Sequence, residues 1–140
     1  MGFEKFGKVN YTAETKVKDF VNRLEKGKIE ATQCKVCKKV YFPPRMDCSN
    51  CLSTDQMTWR EINNEWTLLT YTKAHFAPTG FEEDTPYILA IAETHEGLKT
   101  LARISKSVSE DKIVPGAKLQ LVPIKLPHER TAYEFKLLDE

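Results

Sequence analysis

Histidine is scarce in this chain: three occur in 140 residues, at His75, His95 and His128. None stands in an order or spacing that fixes a nucleophile and its base, which argues against an enzyme acting alone. Net charge is nearly absent too, with 21 Lys plus Arg against 20 Asp plus Glu, so no phosphate-tracking surface announces itself. Long apolar runs are missing. The stretch from Pro86 to Ala92 falls far below the ~20 residues a membrane helix needs. Met1 to Lys8 mixes charged with apolar residues and holds no signal-peptide core or cleavage site, so a soluble, cytoplasmic protein is the expectation. There is no internal repeat and no low-complexity tract. A hydrophobic share of 41% is ordinary for a globular chain of single-domain length.

The near-neutral total hides an asymmetry. Residues 1–56 carry eleven Lys or Arg and seven Asp or Glu, a balance of +4, while residues 57–140 carry ten and thirteen, a balance of −3. The two portions therefore present different surfaces.

All four cysteines of the chain fall in the first portion, as Cys34-x2-Cys37, ten residues, Cys48-x2-Cys51. Two CxxC pairs on a short ribbon bring four thiolates around one Zn²⁺ in tetrahedral geometry. A disulfide framework suits a secreted chain, a redox CxxC needs one pair in a thioredoxin-like context, and iron–sulfur ligation uses the same ligands. Zinc is the favoured reading of these four. Four thiolates would leave no open position on the metal, so its role would be structural, replacing a core that so short a segment cannot build. Lys35, Lys38 and Lys39 beside the pairs would offset the charge of such a site.

Apolar residues Val17, Phe20, Val21 and Leu24 recur at helical spacing, which predicts a helix over Thr12 to Lys26, with Thr12 as N-cap and Gly27 just past the C-terminus. Its stripe needs a surface: the ribbon, the following domain or a partner. Ile29 to Gln33 leads extended into the first cysteine pair. Val40 to Phe42 is an apolar strand ended by Pro43 and Pro44. From Met57 the pattern turns to sheet. Strands are predicted at Met57 to Arg60, Trp66 to Ala74, Tyr87 to Thr94, Leu98 to Ile104, Lys118 to Val122 and Ala132 to Leu138, with a turn at Asn63-Asn64 and a proline-containing loop from Pro123 to Arg130. Five strands in ~80 residues suit a small closed barrel, which has no open edges. The expected class is mainly β: an N-terminal helical segment (1–28), a rubredoxin-like zinc ribbon (29–56) and a five-stranded OB-fold barrel (57–140).

The ordered set Cys34-x-x-Cys37, Pro43-Pro44-Arg45-x-x-Cys48-x-x-Cys51, Trp59, Pro86-Tyr87-Ile88-Leu89-Ala90, Glu96-Gly97 and Val114-Pro115-Gly116-Ala117 resembles an archaeal and bacterial family. That family, long carried as a domain of unknown function, joins a rubredoxin-like zinc ribbon to an OB-fold. The resemblance implies acyl-CoA chemistry and a thiolase-like or condensing-enzyme partner. The chain is similar to the archaeal subunit that bridges acetoacetyl-CoA thiolase and hydroxymethylglutaryl-CoA synthase in the mevalonate pathway, a scaffold for passing an intermediate; other relatives accompany steroid or polyketide-type enzymes. Family members commonly carry glycine where this chain has Lys38 and Asn63-Asn64.

An acyl-CoA offers phosphates to neutralise, an adenine to stack and a narrow arm for apolar contacts. Lys38, Lys39, Arg45 and Arg60 are the candidate phosphate contacts, and Trp59, with Tyr41 and Phe42, the candidate purine or arm lining. Ribbon-to-barrel packing is the simpler role for Phe42 and Trp59. Phe76 and Phe81 flank a flexible loop and are candidate partner anchors. His75 precedes an acidic loop, Glu82, Glu83 and Asp84, without forming a catalytic set. The reading is a non-catalytic scaffold subunit with one structural zinc. The alternative is a nucleic-acid-binding module, since ribbons and OB barrels also do that work, though a barrel portion of −3 argues against it.

Overall fold

The computed structural model describes residues 3–8 and 15–139. In chain order it contains α1 (Asp19–Glu25), β1 (Glu30–Cys34), β2 (Val40–Tyr41), β3 (Met57–Glu61), β4 (Trp66–Ala74), β5 (Tyr87–Thr94), β6 (Lys99–Ile104), β7 (Lys118–Leu126) and β8 (Arg130–Leu137), with short 3-10 turns at Phe3–Lys5, Glu82–Asp84 and Glu110–Lys112. The strands form a three-stranded ribbon sheet in the order β2-β1-β3 and a closed barrel in the order β4-β5-β6-β8-β7. Neighbours in the barrel run antiparallel except β6 and β8, which meet in parallel at Ile104 and Phe135. The protein is thus mainly β, a ribbon followed by a five-stranded OB-type barrel. No helix of the described residues is long and apolar enough to cross a membrane.

The helix is shorter than its apolar periodicity predicts. Residues just before Asp19 are held by three-residue turns, Lys18 N–H to the Thr15 carbonyl (3.2 Å) and Phe20 N–H to the Val17 carbonyl (3.0 Å), so among the described residues regular α geometry starts at Asp19. Lys18 occupies the N-cap position without a side-chain cap, and the predicted cap Thr12 lies outside the described residues. The other end behaves as predicted. Gly27 takes φ +83°, and bonds from Gly27 N–H to Leu24 and Lys28 N–H to Arg23 (3.0 and 2.9 Å) close a Schellman motif.

Two strands depart from their expected places. Met57 to Glu61, expected to open the barrel portion, pairs along its whole length with β1, from Glu30 opposite Glu61 to Cys34 opposite Met57. It completes the ribbon sheet because β1 otherwise has only two-residue β2 beside it. β7 runs on through Pro123 to Leu126, where a loop was expected, and pairs with β8 to the end. β4 reaches β7 only at Leu119 and Lys118. Beyond that point β7 has one strand neighbour, and a residue without an N–H is tolerated there.

One apolar core joins the parts. Phe20, Val21 and Leu24 of α1 are buried with Phe42 from the ribbon and Trp66, Leu68, Leu119, Leu121 and Phe135 from the barrel, so the helical stripe is covered by both. Phe42 is the hinge of this packing, with ring centroids 6.0 Å from Phe20, 5.9 Å from Trp66 and 5.8 Å from Tyr133. Such pairs add ~1 kcal/mol each beyond buried area. Ala90, Ala92 and Ala102 point inward and are buried, which leaves room for the indole of Trp66 in so narrow a barrel. The N-terminal segment seals the seam where β6 and β8 meet at one pair: Gly7 N–H donates to the Thr131 carbonyl at 2.8 Å. Lys8 and Arg103 both reach Asp84, at 2.8 and 3.2 Å. Burial alone would raise the Asp84 carboxyl, but these two cations hold it below its ordinary value.

Asn64 contributes more than a turn. Its Oδ1 accepts from Trp66 Nε1 (3.0 Å) and Leu121 N–H (2.8 Å), and its Nδ2 donates to the Leu121 carbonyl at 2.7 Å. The side chain thereby supplies β7 with the rung that β4 does not reach. Asn64→Ala leaves these partners unsatisfied beside the core, and we expect a loss of about 1–3 kcal/mol in urea unfolding; an unchanged midpoint would show the rung to be dispensable.

Candidate metal centre

The cysteines sit on two knuckles of like construction. In the first, Cys34 ends β1, its N–H donates to the Lys39 carbonyl and its own carbonyl accepts from Lys38 N–H, both at 2.9 Å. In the second, Asp47 and Thr54 form a bridge and Cys48 N–H donates to Ser53 at 3.1 Å. The residue after each CxxC pair takes a left-handed backbone, Lys38 at φ 68° and Leu52 at φ 62°. This is the physical reason for glycine at the Lys38 position in the resembled family: a tight knuckle turn requires positive φ, which a side chain disfavours.

The four sulfurs all lie within 4.8 Å of one another. Cys34 and Cys51 Sγ are 3.7 Å apart, and Cys37 and Cys48 Sγ are 3.5 Å apart. A Zn–S bond of about 2.3 Å at tetrahedral angles requires roughly 3.8 Å between sulfurs. Geometry and ligand chemistry therefore fit one structural zinc. When bound, the metal would cross-link the two knuckles; with four thiolates around it, no ligand position is left for substrate.

Hydrogen bonds prepare the thiolates unequally. The Cys48 thiol is pushed down to about 6 by the Cys51 backbone N–H and next by the Tyr41 hydroxyl. Cys51 is lowered by the Ser53 hydroxyl and N–H. Cys34 is raised: the Cys37 N–H favours its thiolate, but burial and the neighbouring thiols outweigh it. The bonds to Cys48 favour its thiolate, the form that a metal binds. Tyr41, expected to line a purine or pantetheine arm, is buried and turns its hydroxyl to Cys48 Sγ at 3.3 Å. That role was missed, although a buried tyrosine between two CxxC pairs needs a partner for its hydroxyl.

The structure divides the other predicted ligand residues into two groups. Lys39 Nζ and the Arg45 guanidinium lie 5.5 and 5.7 Å from the centre of the Tyr41 ring, and Lys38 is exposed. On β3, Trp59 lies 4.8 Å beneath the Arg23 guanidinium, and Arg60 pairs with Glu96 of the barrel at 3.0 Å. Phe42 is in the core. Phe76 is 92% exposed, whereas Phe81 packs under Lys8 at 5.7 Å. His75 is exposed, and Asp84 of the acidic loop is held by Lys8 and Arg103.

Two outcomes follow. Elemental analysis should find about one zinc per chain, and strong chelation should open the ribbon and shift tryptophan emission to the red, because Trp59 lies on β3 and Trp66 packs on Phe42; a fold intact without metal would contradict the structural role. Lys38→Gly should stabilise the protein by about 0.5–1 kcal/mol, the left-handed strain relieved less the entropy of glycine, while Lys38→Val should destabilise it, both read by thermal unfolding.

Comparison with known proteins agrees with this architecture. Residues 22–57 match the profile described as ChsH2, rubredoxin-like zinc ribbon domain, and residues 59–122 the one described as ChsH2, C-terminal OB-fold domain. A DUF35 domain-containing scaffold protein of Methanocaldococcus jannaschii is 34% identical over 79 residues, 56% of each chain, so the match spans little more than half of that relative. A protein of the same description from Methanothermobacter thermautotrophicus is 24% identical over 72% of this chain and 75% of its own. Among solved structures, the Ltp2-ChsH2(DUF35) aldolase aligns with TM-score 0.75 at 23% identity, covering 91% of this chain and 98% of that one. A DUF35 protein of unknown function from Sulfolobus solfataricus aligns with TM-score 0.54 at 22% identity, covering 84% and 83%. With both family profiles matched in tandem, the chain belongs to the DUF35 family of ChsH2-type zinc-ribbon/OB-fold proteins.

Proposed function

We propose that this protein is a non-catalytic scaffold subunit that docks on an acyl-CoA enzyme of the thiolase or condensing type. The observation that carries the reading is an apolar strip on the outer face of the barrel. Ile91 and Leu101 stand opposite one another on β5 and β6. Leu69 lies on β4, at the irregularity between the Leu68–Ala92 and Thr70–Ile91 pairs. The three are 37%, 56% and 37% exposed in the order Ile91, Leu101, Leu69. A single exposed leucine means little, but three on adjacent strands make a patch of the kind proteins cover with partners. Beside Leu101 a shallow groove of about 250 Å³, lined among others by Phe81, Ile124, Leu126 and Tyr133, extends it.

The relatives' naming as scaffold proteins and the fold neighbour's joint name with Ltp2 support an accessory role. In this reading Lys39 and Arg45 over Tyr41, with exposed Lys38, are the cations left to meet the phosphates of an acyl-CoA, because Arg60 and Trp59 are engaged within the fold. Hydroxymethylglutaryl-CoA synthase is a second partner of the same class.

A tagged chain drawn from native extract should bring down a thiolase-like enzyme, identified by mass analysis. Leu101→Asp should weaken that capture about 30-fold or more, the 2 kcal/mol of a hot-spot residue, with thermal stability unchanged. Leu52→Asp, on the ribbon, should leave it intact. Recovery as a free monomer with such an enzyme present would overturn the reading, and submicromolar, salt-dependent binding of single-stranded RNA or DNA would favour the nucleic-acid alternative.

A further inference from the structure

We propose that Tyr41 is a positioning residue of the metal centre, its hydroxyl donating a hydrogen bond to the Cys48 thiolate and setting how tightly the centre holds its metal. The inference rests on the zinc reading of the four cysteines.

The direction of the bond follows from its neighbours. Ser49 N–H donates to Tyr41 Oη at 3.0 Å, so an oxygen lone pair is already used. The single phenolic hydrogen then faces two acceptors, Cys48 Sγ at 3.3 Å and Ser49 Oγ at 3.1 Å. The serine hydroxyl can itself donate, and Ser49 is exposed to water. A zinc-bound cysteine is a thiolate and Cys48 is buried, so with the metal in place the charge-assisted bond goes to sulfur. Lys39 and Arg45 above the ring draw electron density from the phenol and strengthen it as a donor. Outer hydrogen bonds of this kind orient ligands and tune metal affinity.

The ring is also held from the strand. Tyr41 closes β2, where it pairs with Thr32 of β1, and Thr32 Oγ1 in turn donates to the Arg45 carbonyl at 2.7 Å and accepts from Arg45 N–H at 3.0 Å. The strand that ends in Tyr41 and the turn that carries Arg45 are therefore tied to the same residue, which leaves the hydroxyl little freedom to point elsewhere.

Tyr41→Phe removes the hydroxyl and keeps the ring. In full-length protein, release of zinc to a competing chelator should become about 10-fold faster. In the Co²⁺-substituted protein the sulfur-to-cobalt charge-transfer band should move to lower energy, because the sulfur loses the bond that stabilises its electrons. A purely structural role for the ring would not move this band. Global incorporation of 3-fluorotyrosine, a stronger donor, should move it to higher energy in the parent chain and leave it unmoved in Tyr41→Phe, which keeps the test valid should the variant fold less well. Equal release rates with identical bands in parent and Tyr41→Phe, or failure of the parent chain to take up Co²⁺, would overturn the proposal. If cobalt binds and the band moves while no thiolase-like enzyme is captured, the scaffold reading fails and this one stands.

Discussion

The gathering of Cys34, Cys37, Cys48 and Cys51 within reach of one cation is the constraint on which the ribbon depends. The small cluster around these sulfurs contains Tyr41 and Met57 as its other buried members, with Met46 partly buried against it. That is too little apolar surface to hold loops of this length. A metal cross-link would supply what the side chains cannot, by tying the β1–β2 turn to the loop leading into β3. β1 is the beam of the arrangement. It carries Cys34 at its end, pairs with β2 and β3 on its two sides, and places Thr32 beneath Arg45 through bonds of 2.7 and 3.0 Å. The Pro43-Pro44-Arg45 turn is fixed by the same strand that brings in a ligand.

From this beam the order passes to the barrel through adjacent residues. Tyr41 and Phe42 project in opposite directions, as successive residues of an extended chain do. One ends at the sulfurs and the other among Phe20, Trp66 and Tyr133. The metal centre and the barrel core are thus one residue apart along the chain. A second tie runs over the surface, where Arg23 lies on the Trp59 ring and pairs with Glu30, and Arg60 reaches across to Glu96. Ribbon and barrel are thus joined by both core and surface contacts. Pre-formed contacts of this kind lower the ordering cost of association, and that suits a subunit whose contribution is a surface.

Much of this was legible in the sequence, for local reasons. The ligand spacing is written within eighteen positions, Cys34 to Cys51. β4 and β5 match their expected bounds because alternating or continuous apolar residues end at clear breakers, and Gly27 sits where the helix needs positive φ. What was not legible depends on neighbours distant in the chain. That β3 joins β1, and that Pro123 continues a strand, are decided by which partner lies alongside. Asn64 reads as a turn former until Leu121 is seen opposite it, and Tyr41 as an aromatic surface until Cys48 is. Both carry a polar group whose partner lies seven or more residues away. Lys38 is the converse case. The resembled family's glycine and this chain's lysine differ in sequence, yet the left-handed turn at φ 68° that suits a glycine is here held by the lysine, at a conformational cost.

The division of charge bears on how such a body would be used. Of the ribbon's cations, Lys39 and Arg45 lie over Tyr41 and Lys38 is exposed, whereas exposed Glu82 and Glu83 lie in the loop between β4 and β5 of the barrel. The apolar strip of Leu69, Ile91 and Leu101 belongs to the barrel alone. On the proposed reading, affinity for an enzyme comes from apolar burial on the barrel, which salt does not screen, and any contact with the phosphates of a thioester comes from exposed ribbon cations, which salt screens within about 10 Å. The two functions would then respond differently to ionic strength: complex formation would persist as salt rises while ligand retention fell. A scaffold built this way would keep its partner under conditions in which it lets its cargo go, with the packing of Phe42 against Phe20, Trp66 and Tyr133 joining the two surfaces.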